Sequence, residues 1–283
     1  MGAWRMRPWA VEPVEWRDCP VELPIASLAA QLEQAWETRQ PIDPLHESHG
    51  LEDVEAAYQI QQAWVARRLE QGDAVVGRKI GLTSRVMQEQ LGVNEPDYGT
   101  LLASLALPAP EGIALVPVDR FIQPRVEGEI AFLLKEPLSG PGVSVLDVFR
   151  ATGAVAAAIE VIDSRIRDWR IRLVDTVADN ASCGAFAVGP WCTRWRELDL
   201  AHAGMTLHVN GRLAASGTGA AALGHPAACV AWLANKLGSL GQRLEAGDVV
   251  LSGSLGPAVP VAAGSVAWLE VGGLASVAVH FTE

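Results

Sequence analysis

The spacing of apolar residues changes character near residue 75. Upstream, apolar positions recur with a helical period from Ile25 to Arg39. A second helix is expected from about Leu51 to Glu70, where Leu51, Val54, Tyr58, Val65 and Leu69 fall at three-, four- and seven-residue spacings. Gly72 then supplies a stop. Downstream of Gly77 the pattern becomes short apolar runs separated by Gly, Pro and Asp. Residues 125–134, 156–163, 184–189, 205–213, 248–254 and 264–271 read as strands. Asn210-Gly211 stands between two apolar runs and marks a hairpin, because both residues tolerate positive φ. Helices are expected to interrupt the strands at about 145–158 and at 226–237, the latter with Pro226 in its first turn and Val230, Leu233 and Leu237 as its apolar stripe. Strands and helices do not alternate strictly, and no G-x-G-x-x-G follows a strand. The expected class is therefore α+β with much antiparallel sheet, not a doubly wound nucleotide fold. The change of period divides the chain into an arm and helical region, 1–74, and a strand-rich body, 75–283.

The chain has 283 residues, of which 49 % are hydrophobic and 19 % charged. That is ample material for a core in one large or two modest domains, and it opposes disorder as the dominant state. Acids outnumber bases by 33 to 22, a formal charge of −11. This is the wrong sign for a phosphate-binding face, so nucleic acid is not expected as a partner. No apolar stretch approaches the ~20 residues that span a bilayer. The segment 1–16 has two early arginines but no unbroken apolar h-region, so neither a membrane nor a secretory signal is expected. Cys19, Cys183, Cys192 and Cys229 form no C-x-x-C pair, which suits reduced thiols in a cytoplasmic protein. Residues 1–24, rich in Pro, Trp and Arg, carry no period and are expected to form an irregular arm whose tryptophans pack on a neighbouring subunit.

The six histidines are scattered without zinc-site spacing, and there is no G-x-S-x-G elbow for serine catalysis. The carboxylates are more informative. Glu127 and Glu129, two apart on a strand, point to one face roughly 7 Å from each other. That face continues as Ala131 and Leu133, so it does not stay wet, and Gly128 between them permits close approach of a backbone or ligand. Glu160 sits in the run AAAIEVI, with apolar residues on both strand faces. A buried carboxylate there must be neutral, paired or metal-bound. Three such groups suit a hard divalent cation, Mg²⁺ or Mn²⁺. The competing account is a buried salt-bridge network with Arg125, Arg165 or Arg167. Lys79 is one of only three lysines, with Lys135 and Lys236. Bracketed by Gly77 and Gly81 on a short strand, it suits a desolvated general acid/base or a carboxylate anchor, against the alternative of an edge-protecting lysine. Asp97, between Pro96 and Gly99, reads as a turn residue. Asp175, Asp179, Asn180 and Ser182 read as a capped turn satisfying its own backbone. The loop Gly253–Pro257 can offer N–H groups to an anion.

Together, GRKIGLTSRVMQEQLGVNEPDYG, QPRVEGEIAFLL, EVIDSRIRDW, DTVADNASCG, GTGAAALGHP, WLANKLG and AGDVVLSGSLGP, in order from about residue 40 to the C-terminus, resemble the 2-oxopent-4-enoate (2-keto-4-pentenoate) hydratases of the fumarylacetoacetate hydrolase superfamily. The resemblance implies a mixed β-roll core over 75–283 behind an N-terminal helical region. It implies Mg²⁺ or Mn²⁺ on Glu127, Glu129 and Glu160, with Lys79, Asp97 and Ser182 as the catalytic set. The implied reaction is hydration of a small 2-hydroxydienoate or 2-oxo acid in meta-cleavage degradation of aromatic compounds. The implied assembly is a homo-oligomer, pentameric or decameric, in complex with the decarboxylase of the same pathway. Neighbouring readings are a 4-oxalocrotonate decarboxylase, a hydratase of a larger 2-hydroxydienoate, and a non-catalytic scaffold subunit. All six positions keep chemically competent residues, which argues against the scaffold. The small residues of Gly153–Ala158 depart from the family pattern and predict a roomier wall near the metal.

Overall fold

A computed structural model of the chain describes residues 23–84, 88–89 and 93–283. The arm expected over 1–24 lies outside the described residues up to residue 22, and so does its expected packing on a neighbour. Three helices lead: α1 (Ile25–Thr38), α2 (Leu45–Ser48) and α3 (Val54–Glu70). The last starts where the Asp53 carboxylate accepts the N–H groups of Glu55 and Ala56, satisfying two donors a helix leaves open. Leu28, Ala29 and Leu32 of α1 and Ala57, Ile60 and Trp64 of α3 are buried in one core with the strands that follow.

The strands, in chain order, begin with β1 (Val75–Gly81), β2 (Asp97–Leu102), β3 (Ile113–Pro117), β4 (Arg125–Leu134), β5 (Thr152–Ile162) and β6 (Cys183–Val188). They continue with β7 (Gly204–Val209), β8 (Arg212–Thr218), β9 (Val249–Leu251), β10 (Val259–Pro260), β11 (Val266–Val271) and β12 (Val277–Thr282). One sheet runs β2-β1-β9-β4-β5-β6, with β10 added on β4, and the other runs β3-β12-β11-β7-β8. Pairing is antiparallel apart from β1–β9 and β3–β12. The α+β class with a mixed, largely antiparallel sheet core is thus what the chain adopts, and Asn210-Gly211 makes the β7–β8 hairpin. The sheets meet through the face of β4 that carries Gly128. A Cβ there would lie 2.5 Å from Leu269 and 3.3 Å from Met205 of the second sheet. The close approach foreseen at Gly128 is therefore that of the second sheet.

Two expectations are corrected. The helix predicted over 145–158 stops early: α4 is Val145–Ala151, capped by the reciprocal Ser144–Asp147 box, and the chain enters β5 at Thr152. Alanine favours helices, but the run Ala154–Ala158 pairs with β4 over its length, and from Ala158 on β5 also pairs with β6. Asp97, expected in a turn, opens β2, because its backbone pairs with Gly81. Two further helices, α5 (Leu173–Ala178) and α6 (Pro226–Ser239), lie in the body. Among the described residues no helix is long and apolar enough to cross a membrane, and Cys183, Cys192 and Cys229 are free thiols.

Candidate active site

Strand register explains why residues far apart in sequence share one patch. Glu127 of β4 stands directly opposite Glu160 of β5, and Glu129 is two residues on, so all three project from one face. Leu251 of β9 pairs with Ala131 on one side and Lys79 on the other, which carries the same face across to β1. On β1 and β2, Gly81 pairs with Asp97 and Lys79 with Gly99. Each functional side chain therefore faces a glycine. A Cβ on Gly81 would lie 2.1 Å from Asp97 Oδ1, and one on Gly99 would lie 2.6 Å from the Asn180 carbonyl oxygen. These are the physical reasons for glycine in GRKIG and PDYG.

Ligand oxygens of Glu127, Glu129 and Glu160 lie within 4.8 Å of one another. Gly253 N–H donates to Glu129 Oε2 at 2.7 Å, so the loop expected to offer its N–H groups to an anion gives this one to a carboxylate of the protein. Lys79 Nζ is 3.2 Å from Glu160 Oε1 and donates to the Ala181 carbonyl at 2.9 Å. Glu129 Oε1, both Glu160 oxygens and Asp97 Oδ1 are buried and accept no hydrogen bond. The salt-bridge account is corrected here. Arg165 pairs with Asp179 and donates to the carbonyls of Asp163 and Cys183, Arg167 pairs with Asp43 at 3.2 Å, and Arg125 stacks on Trp169. Among the described residues, Lys79 is the ion-pair partner of the cluster.

One ammonium among four carboxylates leaves the patch short of positive charge. Burial, then the Glu160 and Glu127 carboxylates, push Glu129 well above the ordinary range. Burial and Glu160 push Glu127 up to about 7, against the pull of Lys79 and Arg125. Burial also raises Asp97, with Lys79 opposing and Glu160 adding. For Lys79, burial alone would depress the ammonium, but Glu160 and Asp97 reverse this and hold it above its usual range. Buried oxygens without donors, close together and crowded with negative charge, fit a hard divalent cation with oxygen ligands. Glu127 also lines a cavity of about 460 Å³ with Gly81, Thr83, Arg125, Ser254 and Pro257, which gives the cluster an open side.

Ser182 ends a strained turn over this patch. Asn180, Ala181 and Ser182 take φ of 52°, 50° and 54°, a conformation costing non-glycine residues about 1–3 kcal/mol each. Contacts outside the turn hold it. The Asn180 amide accepts from Thr100 N–H at 2.7 Å and donates to the Thr100 carbonyl at 2.9 Å, while Arg165 grips Asp179 just before it. The result aims the Ala181 carbonyl at Lys79, and the Ser182 hydroxyl meets Thr176 Oγ1 at 3.1 Å. Asn180 and Arg165 are thus holders of the site that the spacing did not predict. The local signal for the first was an asparagine, a residue that tolerates positive φ.

The family described as fumarylacetoacetate (FAA) hydrolase C-terminal matches residues 84–282. The chain is 45 % identical over 259 residues to a 2-hydroxyhexa-2,4-dienoate hydratase of Comamonas testosteroni, covering 92 % of this chain and 98 % of that protein. It is 46 % identical, with the same coverage, to a 2-keto-4-pentenoate hydratase of Burkholderia vietnamiensis. Among solved structures it is similar to the 4-oxalocrotonate decarboxylase of Pseudomonas putida G7 complexed with magnesium and adipate. The TM-score is 0.86 at 35 % identity, over 91 % of this chain and 97 % of that one.

Proposed function

The chain belongs to the fumarylacetoacetate hydrolase family, and on that premise we propose a divalent-metal-dependent hydratase that converts 2-hydroxypenta-2,4-dienoate to 4-hydroxy-2-oxopentanoate. The observation that carries this reading is the buried cluster of Glu127, Glu129 and Glu160, with three oxygens that accept no hydrogen bond and only the Lys79 ammonium beside one of them, in a chain 45–46 % identical to named hydratases over 98 % of their length. The three glutamates would hold Mg²⁺ or Mn²⁺, which when bound supplies Lewis-acid stabilisation of negative charge on the C2 oxygen of the substrate. The remaining steps are proton movements. The 2-hydroxyl proton leaves and a proton arrives at C5, giving the 2-oxo-3-enoate; water then adds across C3=C4, oxygen to C4 and proton to C3. Asp97, raised by burial and with Oδ1 free of donors, and Lys79, desolvated and fixed by Ala181, are the groups we assign to these transfers. Ser182 is assigned to holding the turn that presents the Ala181 carbonyl. Leu82, Pro257 and Ala258 give the cavity an apolar wall for the hydrocarbon tail. The same reading carries a cytoplasmic homo-oligomer, pentameric or decameric, working beside the pathway decarboxylase; the exposed Ile113, Leu115 and Trp268 on the outer face of the second sheet support a subunit contact.

The test is an ultraviolet assay with freshly generated dienol. Loss of its absorbance should require Mg²⁺ or Mn²⁺, stop with EDTA, and yield 4-hydroxy-2-oxopentanoate. Inert dienol together with release of CO₂ from 4-oxalocrotonate would move the protein to the decarboxylases.

Proton and metal compete for the same oxygens, so a pH dependence follows. In the metal-free protein a carboxyl raised to about 7 in the fold, as at Glu127, favours folding below its unfolded value, and that contribution is lost as pH rises through about 7. A bound cation needs the deprotonated form. Metal affinity should therefore climb as pH rises through 7, and Mg²⁺ should raise the melting temperature more at pH 8 than at pH 6. Equal metal-induced shifts at both pH values would contradict this.

A further inference from the structure

Arg125 opens β4 two residues before Glu127 and projects from the same face. It lines the 460 Å³ cavity beside Glu127, yet forms no ion pair or hydrogen bond with the described residues. Its guanidinium instead lies over the Trp169 ring, 4.7 Å from the centroid. That indole is delivered by a strained loop: Asp168 and Trp169 take φ of 59° and 55°, two successive non-glycine residues in the left-handed region. Such a conformation persists only when its surroundings hold it. Trp169 Nε1 donates to the Gln123 carbonyl at 3.1 Å, and Gln123 Nε2 in turn donates to the carbonyls of Ser164 and Ile166 at 2.9 and 2.6 Å.

Stacking on an aromatic face fixes the plane of a guanidinium while leaving its in-plane N–H donors free. A preoriented fork of free donors at the wall of a cavity is suited to a carboxylate. Apart from the neutral hydroxyls of Thr83, Ser84 and Ser254, the rest of that wall is glycine or apolar, at Leu82, Ala221, Pro257 and Ala258, and Arg125 is its one cation, so the anionic end of a ligand belongs beside Arg125 and its hydrocarbon end away from it. Resting on the proposed 2-hydroxydienoate chemistry, we propose that Arg125 binds the substrate's C1 carboxylate and that Trp169 is the positioning residue that holds it in the receiving orientation.

Oxalate, which presents the two adjacent oxygen-bearing carbons of a 2-oxo acid, is the probe. It is titrated calorimetrically into Mg²⁺-loaded wild type, Arg125→Gln, Arg125→Lys and Trp169→Leu, and Mn²⁺ affinity is measured separately without oxalate. Loss of a charge-assisted contact predicts oxalate binding weakened about tenfold to a hundredfold in Arg125→Gln. A smaller loss is expected in Arg125→Lys and a few-fold loss in Trp169→Leu. Mn²⁺ affinity should be unchanged or tighter in all three, and the KM for the dienol should rise more than kcat falls. Wild-type oxalate affinity in Arg125→Gln would overturn the assignment. So would loss of Mn²⁺ affinity in step with oxalate, which would mark damage to the glutamate cluster. Normal oxalate binding with weakened adipate binding would give the arginine to a distal carboxylate instead. Failure of wild type to bind oxalate with Mg²⁺ would overturn the metal-site reading beneath it, a result distinct from failure of the arginine alone.

Discussion

Glu129→Gln should melt no lower than wild type in metal-free buffer, bind no Mg²⁺ or Mn²⁺, and lose on the order of a thousandfold in dienol turnover. The side chain is fully buried, and burial together with the Glu160 and Glu127 carboxylates pushes its carboxyl well above the ordinary range, so without metal the fold favours the neutral form. Glutamine has the same shape and no charge. Its carbonyl oxygen keeps the Gly253 N–H, and its amide offers N–H donors to the crowded carboxylates in place of the single O–H of a neutral carboxyl. Stability is therefore held or raised, while a cation loses one of three anionic ligands. The activity estimate follows from the several kcal/mol that a Lewis acid contributes, at about 1.4 kcal/mol per tenfold. Thermal melting with and without metal, metal titration and the dienol assay check the three parts. A variant less stable without metal, or one that retains metal-dependent turnover, would sink the account.

The opposite responses expected of stability and activity at this position show what local sequence does and does not disclose. A two-residue period is local, so Glu127 and Glu129 on one strand face, and Glu160 inside an apolar strand, were legible as a candidate cluster. Their convergence depends on the Glu127–Glu160 register, which no local pattern contains. The choice of counter-ion was illegible for the same reason: Arg165 is near Glu160 in sequence but is bound to Asp179, whereas Lys79 reaches Glu160 across the sheet. β2 was hidden because P-D-Y-G has turn chemistry, and its strand exists through pairing with β1. β3 was hidden for another cause. Its outward residues Ile113 and Leu115 are apolar as well as its inward ones, so the alternation that marks a half-buried strand is absent. The segment Asp175–Ser182 was expected to satisfy its own backbone, and in part it does: Arg172 N–H donates to Asp175, and Ser182 N–H to the Asp179 carbonyl. What local sequence did not disclose is its tie to Thr100, 80 residues before Asn180 in the chain.

Lys79→Met should be the most destabilising single change at the site, and more so at high pH. Methionine keeps the length and apolar stem but removes the ammonium that Glu160 and the Ala181 carbonyl face. An uncompensated buried charge costs about 3–5 kcal/mol, or roughly 10 °C in melting temperature for a chain of this size. Lys79 also opposes the upward push on Asp97, Glu127 and Glu129, so its loss raises these carboxyls further in the fold. A carboxyl raised in the fold favours folding at low pH and loses that contribution as pH rises. The gap between wild type and variant should therefore be small at pH 5.5 and widest at pH 8. Adding Glu160→Gln should restore much of the loss, a positive coupling read from a double-mutant cycle on melts at pH 8. Turnover of Lys79→Met should fall by about 10²- to 10⁴-fold, the range for a lost proton-transfer group. The double variant also lacks a carboxylate assigned to the metal, so it should be no more active, and it reads the counter-ion role through stability alone. Additive melts, or a variant as stable as wild type at pH 8, would show that Lys79 does not hold the carboxylate cluster together.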